Sequence, residues 1–202
     1  MDRPTAAASE PHDVRETILQ ESGRLFVARG YHGLAMRELA EAVGVSKAAL
    51  YYHFTDKEDL FMAVLTSNLD RIEQVINEAR KAPTTRLRIE QMVQAIFQRA
   101  PEQRAIIRLA SQEMDQLSET ARAEFSRIYH EKFIGQIEAI IAEGIQSGEL
   151  RPMNTSLATW LLLGMMYPFF YAAHAGEMTS FDETTDLMLA IFFDGAAGSR
   201  II

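Results

Sequence analysis

The stretch from Lys47 to His53 brings a cation, two tyrosines and a histidine together within about two turns of predicted helix. Lys47 can donate hydrogen bonds to guanine O6 or N7, or to a phosphate oxygen. Tyr51, Tyr52 and His53 carry donors that suit phosphate oxygens. This set of side chains indicates contact with a nucleic acid. The alternative, that one of the two tyrosines only packs against a neighbouring helix, stays open for either residue taken alone.

Two short helices and a glycine turn must position these side chains. The pattern predicts a helix from Met36 to Val43 that ends at Gly44, and Ser46 is a natural N-cap for a second helix. Glycine permits the left-handed backbone that such a turn requires. The inward-facing positions would be Met36, Leu39, Ala40, Val43, Val45 and Leu50. The arrangement predicts a helix-turn-helix unit, backed by a third helix from Val14 to Arg29.

Helix signals repeat along the whole chain, and no alternating strand pattern occurs. Thr55 with Glu58 opens a helix that ends before Pro83, and Ser118 opens a long one that Gly148 closes. Further starts are marked at Asn154 and at the capping pair of Ser180 and Glu183. About nine helices are predicted from these signals. The fold class is therefore all-α.

The composition excludes several kinds of chemistry. The 202 residues include no cysteine, so the chain has no disulfide, thiol nucleophile or cysteine zinc site. His130 and Glu131 are not followed by the second histidine that a helical zinc site needs. We expect no catalytic residue, no metal and no cofactor. The net charge of −8 means that any contact with DNA must be local.

The sequence around the two tyrosines follows a longer motif. LFVARGY from Leu25 to Tyr31 precedes MRELAEAVGVSKAALYYHFTDKEDLF from Met36 to Phe61. Together they resemble the N-terminal domain of the TetR (tetracycline repressor) family of transcriptional regulators. The resemblance is detailed from Asp13 to Leu65, and beyond that it extends only to the number, length and order of the helices.

The N-terminal residues contain alanine, serine and proline but no apolar run, which predicts a disordered arm at 1–12. The resemblance implies a helix-turn-helix DNA-binding domain at 13–55 and a ligand-binding and dimerisation domain at 56–202. It implies a cytoplasmic regulator, most simply a repressor, that binds a palindromic double-stranded operator as a homodimer. A small apolar or amphipathic effector would release it. The residues that we expect at the DNA are Arg37, Ser46, Lys47, Ala48, Ala49, Tyr51, Tyr52, His53 and Lys57.

Departures from the family pattern leave a second function open. Leu34 and Ala35 stand where the family usually has hydroxyl side chains, and Ala48 and Ala49 where it often has glycine and threonine. His53 replaces a common tyrosine. Between residues 31 and 57, three basic residues face three acidic ones, which favours only modest non-specific DNA affinity. The alternative is a helical small-molecule-binding or interaction protein whose helix-turn-helix unit no longer binds DNA tightly.

The segment from Leu157 to Ala173 contains no charged residue. Its length is at the lower limit of the roughly 17–25 residues of a membrane span, and Gly164 and Pro168 interrupt it. We therefore predict a buried or interfacial helix instead. The resemblance assigns dimerisation to this helix, Ser156 to Ala173, and to the next, Phe181 to Asp194. The residues expected in the interface are Leu157, Leu161, Met165, Phe169, Leu187 and Ile191.

Methionine and aromatic side chains are frequent in the C-terminal two thirds. Ten methionines in the chain suit a deformable cavity that accepts apolar ligands. The resemblance assigns small-molecule binding to this domain. The candidate ligand-binding residues are Met92, Phe97, Met114, Phe125, Tyr129, Trp160 and Met165. For each of them singly, plain core packing is the alternative.

Overall fold

The computed structural model describes residues 11–170 and 180–196, and these contain helices and turns but no strands. The α-helices are α1 (Pro11–Arg29), α2 (Met36–Val43), α3 (Lys47–His53), α4 (Lys57–Ala79), α5 (Thr85–Phe97), α6 (Pro101–Glu113), α7 (Glu119–Tyr129), α8 (Gly135–Ser147), α9 (Thr155–Met166) and α10 (Phe181–Ala196). A π-helical segment, His130–Ile134, joins α7 to α8 without a break. The described residues therefore hold nine continuous helices, and the all-α prediction is confirmed.

The N-terminal end of the described chain differs in part from the sequence-based boundary. The helix α1 begins at Pro11, so Pro11 and His12 do not belong to the predicted arm. Proline suits the first turn of a helix because its fixed φ is already helical and its missing N–H is not needed there. Residues 1–10 of the predicted arm lie outside the described residues.

The uncharged helix is shorter than predicted. The α-helix α9 ends at Met166 and continues as a 3₁₀ segment, Tyr167–Phe170. Pro168 explains the change, since it has no N–H to donate to the carbonyl of Gly164. The predicted positions 171–173 lie outside the described residues. Within those residues, no helix combines the length and apolarity needed to cross a membrane.

The chain divides into two compact units, one ending at Leu65 and the other beginning at Thr66. This division lies inside α4, whereas the sequence-based domain boundary lies before residue 56. The first turns of α4 carry Leu60 and Phe61, which are fully buried. The ring of Phe61 meets that of Phe26 on α1 edge-on, with 4.9 Å between ring centroids. The helix α4 is therefore shared by the two units.

In the first unit, α2 and α3 form the predicted helix-turn-helix. Leu39, Ala40 and Leu50 are buried, and Met36 is nearly so. Gly44 adopts the left-handed conformation with φ of 80°, which a side chain would disfavour. The Ser46 hydroxyl accepts the Ala49 N–H at 3.0 Å and caps α3. The short helix α3 thus has its start fixed by its own sequence.

In the second unit, α5 packs against α8, and both helices carry fully buried aliphatic side chains: Ile89, Val93, Ile96, Ile137, Ile140 and Ile141. Close approach is possible because Gly144 of α8 lies against Thr85 at the start of α5. A Cβ at position 144 would lie 2.6 Å from Thr85 Cγ2. Beside this contact, the Glu143 carboxylate accepts a hydrogen bond from the Arg88 guanidinium at 2.6 Å and also forms an ion pair with Arg80.

The π-helical segment was not predicted, because the sequence indicated one regular helix from Ser118 to Ser147. Here the Gly135 N–H donates to the His130 carbonyl, five residues earlier. A Cβ at position 135 would lie 3.0 Å from that carbonyl oxygen, so glycine relieves crowding at the wider turn. The Gln136 side chain donates to the Glu131 carbonyl at 3.2 Å, which satisfies an acceptor inside the segment.

Candidate nucleic-acid interface and ligand cavity

The exposed side chains of α3 form a compact polar and aromatic surface. Tyr52 is 84% exposed and Tyr51 44%, so neither belongs to the core. The ammonium of Lys47 lies 5.6 Å from the centroid of the Tyr51 ring, as expected for residues four apart on one helix face. The His53 ring lies edge-on to Tyr52, with 5.1 Å between ring centroids. Ala48 is also exposed. The structure therefore leaves most of this predicted set accessible to a large partner.

Three other predicted DNA residues have partners within the protein. Arg37 is exposed and lies 3.6 Å from Glu41, one turn further along α2. Ser46 is engaged as the N-cap of α3. The ammonium of Lys57 donates to the carbonyls of Tyr31 and Leu34, at 2.9 and 3.1 Å.

The contacts of Lys57 differ from the predicted phosphate contact. Its ammonium also lies 4.1 Å from the centroid of the Tyr31 ring. Two carbonyls and an aromatic face together hold the cation over the connection between α1 and α2. Lys57 is thus a clamp on this connection, with its charge directed at the protein.

The start of α2 has a cap that the sequence analysis missed. Ala35 has no side-chain acceptor, but its N–H donates to Glu38 Oε2 at 2.8 Å. Arg29 pairs with the same carboxylate at 3.1 Å. These contacts, the Ala35 N–H first, lower the pKa of Glu38. The signal was readable, because a glutamate three residues after the N-cap is half of a capping box.

The second unit contains a cavity of about 590 Å³, which is the size of a site for a small organic molecule. Four predicted ligand residues line it: Met114, Phe125, Tyr129 and Trp160. Met92 and Phe97 do not line it; they are fully buried in the core. Met165 lies elsewhere, in a shallower groove between α9 and α10. Residue type alone does not show whether a side chain lines a cavity. The predicted ligand-binding roles of Met92, Phe97 and Met165 therefore differ from their positions in the structure.

Polar groups at the cavity wall were not predicted as ligand residues. Arg108, His130 and Glu138 line the cavity, together with Tyr167. The hydroxyls of Tyr129 and Tyr167 are 2.5 Å apart. Burial raises the pKa of Tyr129, and the neighbouring Tyr167 adds to this. Both phenols are neutral at physiological pH. One donates its hydrogen bond to the other, and the second is left to donate elsewhere. The cavity therefore combines an apolar wall with a few hydrogen-bonding and charged groups.

The faces of α9 and α10 expose large aliphatic side chains. Leu157, Leu161, Leu187 and Ile191 are each between 58% and 62% exposed. Together with Met165 and Phe169, they are the residues predicted for the dimer interface. Isolated exposed leucines are ordinary, but Met165, Phe169, Leu187 and Ile191 line one groove. An apolar patch of this kind indicates a protein contact.

The fold and the site define a class: helix-turn-helix DNA-binding regulators with a helical C-terminal body. Residues 18–64 match the family described as bacterial regulatory proteins, tetR family. Residues 81–169 match the tetracyclin repressor-like C-terminal domain. The chain belongs to the TetR family. Members of this family are transcriptional regulators, not enzymes.

Individual relatives agree with this membership. The transcriptional repressor DhaR of Mycobacterium sp. is 31% identical over 142 residues, which are 68% of this chain and 70% of DhaR. The repressor AcnR of Corynebacterium glutamicum is 40% identical over 73 residues. That match covers 36% of this chain and only 39% of AcnR, so the chain matches about two fifths of the length of this relative.

The solved structure of AibR in complex with isovaleryl coenzyme A and operator DNA has a similar fold. Its TM-score is 0.76 at 23% identity, covering 89% of this chain and 98% of AibR. At this identity, the likeness shows the fold alone.

Proposed function

We propose that the chain is a ligand-responsive transcriptional repressor that binds a palindromic operator as a homodimer. The observation that carries this proposal is the exposed surface of α3. An 84% exposed tyrosine beside Lys47 and Tyr51 has no function in the core, and these side chains suit the phosphates and base edges of a major groove. Repression is proposed because DhaR, whose match covers 68% of this chain, is a repressor. A regulator of this kind acts on the chromosome, so we place it in the bacterial cytoplasm.

The proposed DNA-contacting set is smaller than the sequence suggested. The polar contacts come from four residues of α3: Lys47, Tyr51, Tyr52 and His53. The Ala48 and Ala49 methyl groups lie on the same short helix. Arg37 contributes from α2. Lys57 acts indirectly, by holding the α1–α2 connection that supports the docking surface.

The proposed effector is a small amphipathic molecule in the cavity lined by Met114, Phe125, Tyr129 and Trp160. Its apolar part would pack on these side chains, and its polar part would meet Arg108, His130 or Glu138. The cocomplex of AibR with a coenzyme A thioester and operator DNA supports the general arrangement of one effector and one DNA site in a single fold.

The proposal can be tested by selecting genomic fragments that the purified protein retains and measuring their affinity at several salt concentrations. We expect a palindromic fragment whose affinity falls as salt rises. Lys47→Ala and Tyr52→Ala should each weaken binding. Lys47→Ala should also reduce the salt slope by about two units, about one for each protomer of the dimer. Gln20→Ala, at an exposed position on α1, is the control. If both α3 variants bind the fragment like the wild type, the docking surface is elsewhere.

The second candidate function is ligand binding without tight DNA binding. The equal number of acidic and basic residues between positions 31 and 57 favours it. Failure to retain any fragment at low salt, together with saturable binding of a small molecule in the cavity, would establish this second function.

A further inference from the structure

The π-helical segment between α7 and α8 contacts two different parts of the second unit. His130 and Ile134 line the cavity, and so does Tyr129, which directly precedes the segment. Lys132, between them in sequence, does not line the cavity. Its ammonium instead lies 2.7 Å from Asp70 and 2.8 Å from Glu73, both on α4. A single five-residue segment thus joins the wall of the cavity to the helix that continues into the DNA-binding unit.

The contact with α4 is a well-formed one. Lys132 is about one quarter exposed and Glu73 is similar, so the pair is less hydrated than a fully exposed surface pair. Both carboxylates accept hydrogen bonds from the same ammonium, and they raise the pKa of Lys132. The cation therefore stays charged at physiological pH. It holds α4 at two residues, Asp70 and Glu73, that lie about one turn apart on the same face of the helix.

Because of the position of this contact along α4, a small displacement at Asp70 would produce a larger one at the start of the helix. Arg80, just beyond the end of α4, is anchored to Glu143 on α8. Asp70 lies about 15 Å from that anchor along the helix, and Lys57 lies about 35 Å from it, at 1.5 Å per residue. A rigid helix held at Arg80 and displaced at Asp70 would move roughly twice as far at Lys57.

The segment itself is suited to rearrangement. A π turn contains one residue more than an α turn, and such turns occur often at functional sites. Closing it to an α turn would rotate the chain that follows by about 100° around the helix axis. Neither proline nor a deep burial of polar groups fixes the wider turn here; Gly135 and the Gln136 side chain accommodate it.

We propose that Lys132 is the positioning residue that couples the cavity to α4. An occupant that displaces His130 and Ile134 moves the π-helical segment, and Lys132 carries that movement to Asp70 and Glu73. This inference rests on the proposed function, since it explains how an effector would change the DNA-binding unit. It adds a specific residue and a specific contact to that function.

The test uses the full-length protein and the amphipathic fluorophore 1-anilinonaphthalene-8-sulfonate, which binds apolar protein surface. Trp160 lines the cavity and is the only tryptophan in the chain, so a change in its emission reports a probe bound close to it. The measured quantity is the release factor, defined as the ratio of operator dissociation constants with and without the probe. The variants are Lys132→Met, Lys132→Arg and the double variant Asp70→Asn with Glu73→Gln. Lys81→Met is the control, because Lys81 pairs with Glu78 and both side chains are largely exposed.

The expected result separates coupling from binding. Lys132→Met should bind the probe and the probe-free operator within about twofold of wild type, because Lys132 touches neither site. Its release factor should fall by about threefold or more, and so should that of the double variant. Lys132→Arg should keep most of the coupling, and Lys81→Met should keep all of it. A release factor for Lys132→Met equal to that of wild type would overturn the inference.

A second measurement decides the inference even if no operator is found. Hydrogen exchange of the α4 amides is followed with and without the probe, by mass spectrometry. Wild-type α4 should change its exchange when the probe binds, and Lys132→Met should not. No change in wild type, or the same change in both proteins, overturns the inference. Absence of any operator binding would overturn the proposed function instead.

Discussion

Adjacent tyrosines on a helix point about 100° apart, so they cannot share one environment. In α3 this places Tyr51 against Lys47, at 44% exposure, and leaves Tyr52 almost wholly in solvent, at 84%. The two side chains therefore have separate roles. Tyr51 supports the orientation of the lysine, and Tyr52 is free to meet a partner. The sequence left open that either tyrosine taken alone only packs against a neighbouring helix, and the exposure of Tyr52 excludes this for Tyr52.

Glu38 makes the stability of the first unit depend on pH. Its pKa is lowered in the folded state by the Ala35 N–H and by Arg29. Its stabilising contribution is therefore present above the ordinary glutamate pKa of 4.5, and it is lost as the pH falls through the lower folded value. The midpoint of thermal unfolding of Glu38→Gln should be below that of wild type at neutral pH, and the two should converge in acid.

Glu41→Gln is the matched control for Glu38→Gln. Glu41 pairs with Arg37 at 3.6 Å, and both side chains are largely exposed, so the pair contributes little. Its variant should follow the wild-type curve at every pH. A constant difference between Glu38→Gln and wild type down to strong acid would contradict the role of the carboxylate charge.

At the residue scale, the sequence predicted which side chains are exposed to a partner, but not which groups a long side chain such as Lys57 contacts. The α3 set follows from helix periodicity, which is local. The position of the Lys57 ammonium depends on the conformation of the connection at 30–35, whose carbonyls it binds. A flexible four-carbon side chain can reach either a phosphate or these carbonyls, so residue type alone does not decide between them.

At the scale of elements, helix starts were predictable because their caps are encoded within four residues. Asn154 and Ser180 each accept the N–H of the residue three positions later, at 2.8 and 2.9 Å, as predicted. The π-helical segment was not predictable, because one extra residue within a long apolar repeat leaves the overall pattern readable as a single helix. The cavity was not predictable either, since it depends on how side chains from seven helical segments fail to fill one space.

The contact between α5 and α8 limits what position 144 can hold. In Gly144→Ala the added Cβ would meet Thr85 Cγ2 at 2.6 Å and Oγ1 at 2.8 Å. Overpacking of this kind costs about 1–3 kcal/mol, and a lower denaturant midpoint should show it. The added change Thr85→Ser removes Cγ2 and keeps the hydroxyl, so the double variant should recover part of the loss. No recovery would mean that the crowding lies elsewhere.

The exposed apolar faces of α9 and α10 suit a second copy of the chain. The centre of such an interface should lack charge, and α9 contains no charged residue. Leu161→Asp should therefore yield monomers in sedimentation velocity at micromolar concentration, whereas wild type should sediment as a dimer. Leu87→Asp is the control, because Leu87 is also an exposed leucine but lies on α5. Wild-type protein that sediments as a monomer would rule out this interface.

At the scale of the whole molecule, the net charge of −8 repels DNA at long range. Specific binding must then come from paired short-range contacts, one set from each protomer. Two recognition helices reach successive major grooves only when they are about 34–36 Å apart. The affinity is therefore sensitive to small movements of α4, the one helix that belongs to both units.

An effector releases DNA only if it binds the misaligned state better than the aligned one. Thermodynamic linkage then requires that operator DNA weaken effector binding by the same factor by which the effector weakens operator binding. Both factors can be measured on the same protein. Trp160 lines the cavity, so its emission reports occupancy directly, and the fluorescence anisotropy of a labelled duplex reports DNA binding. We expect equal factors of about 5 to 150. Effector affinities that are identical with and without operator would show a constitutive DNA binder, in which the cavity does not control DNA binding.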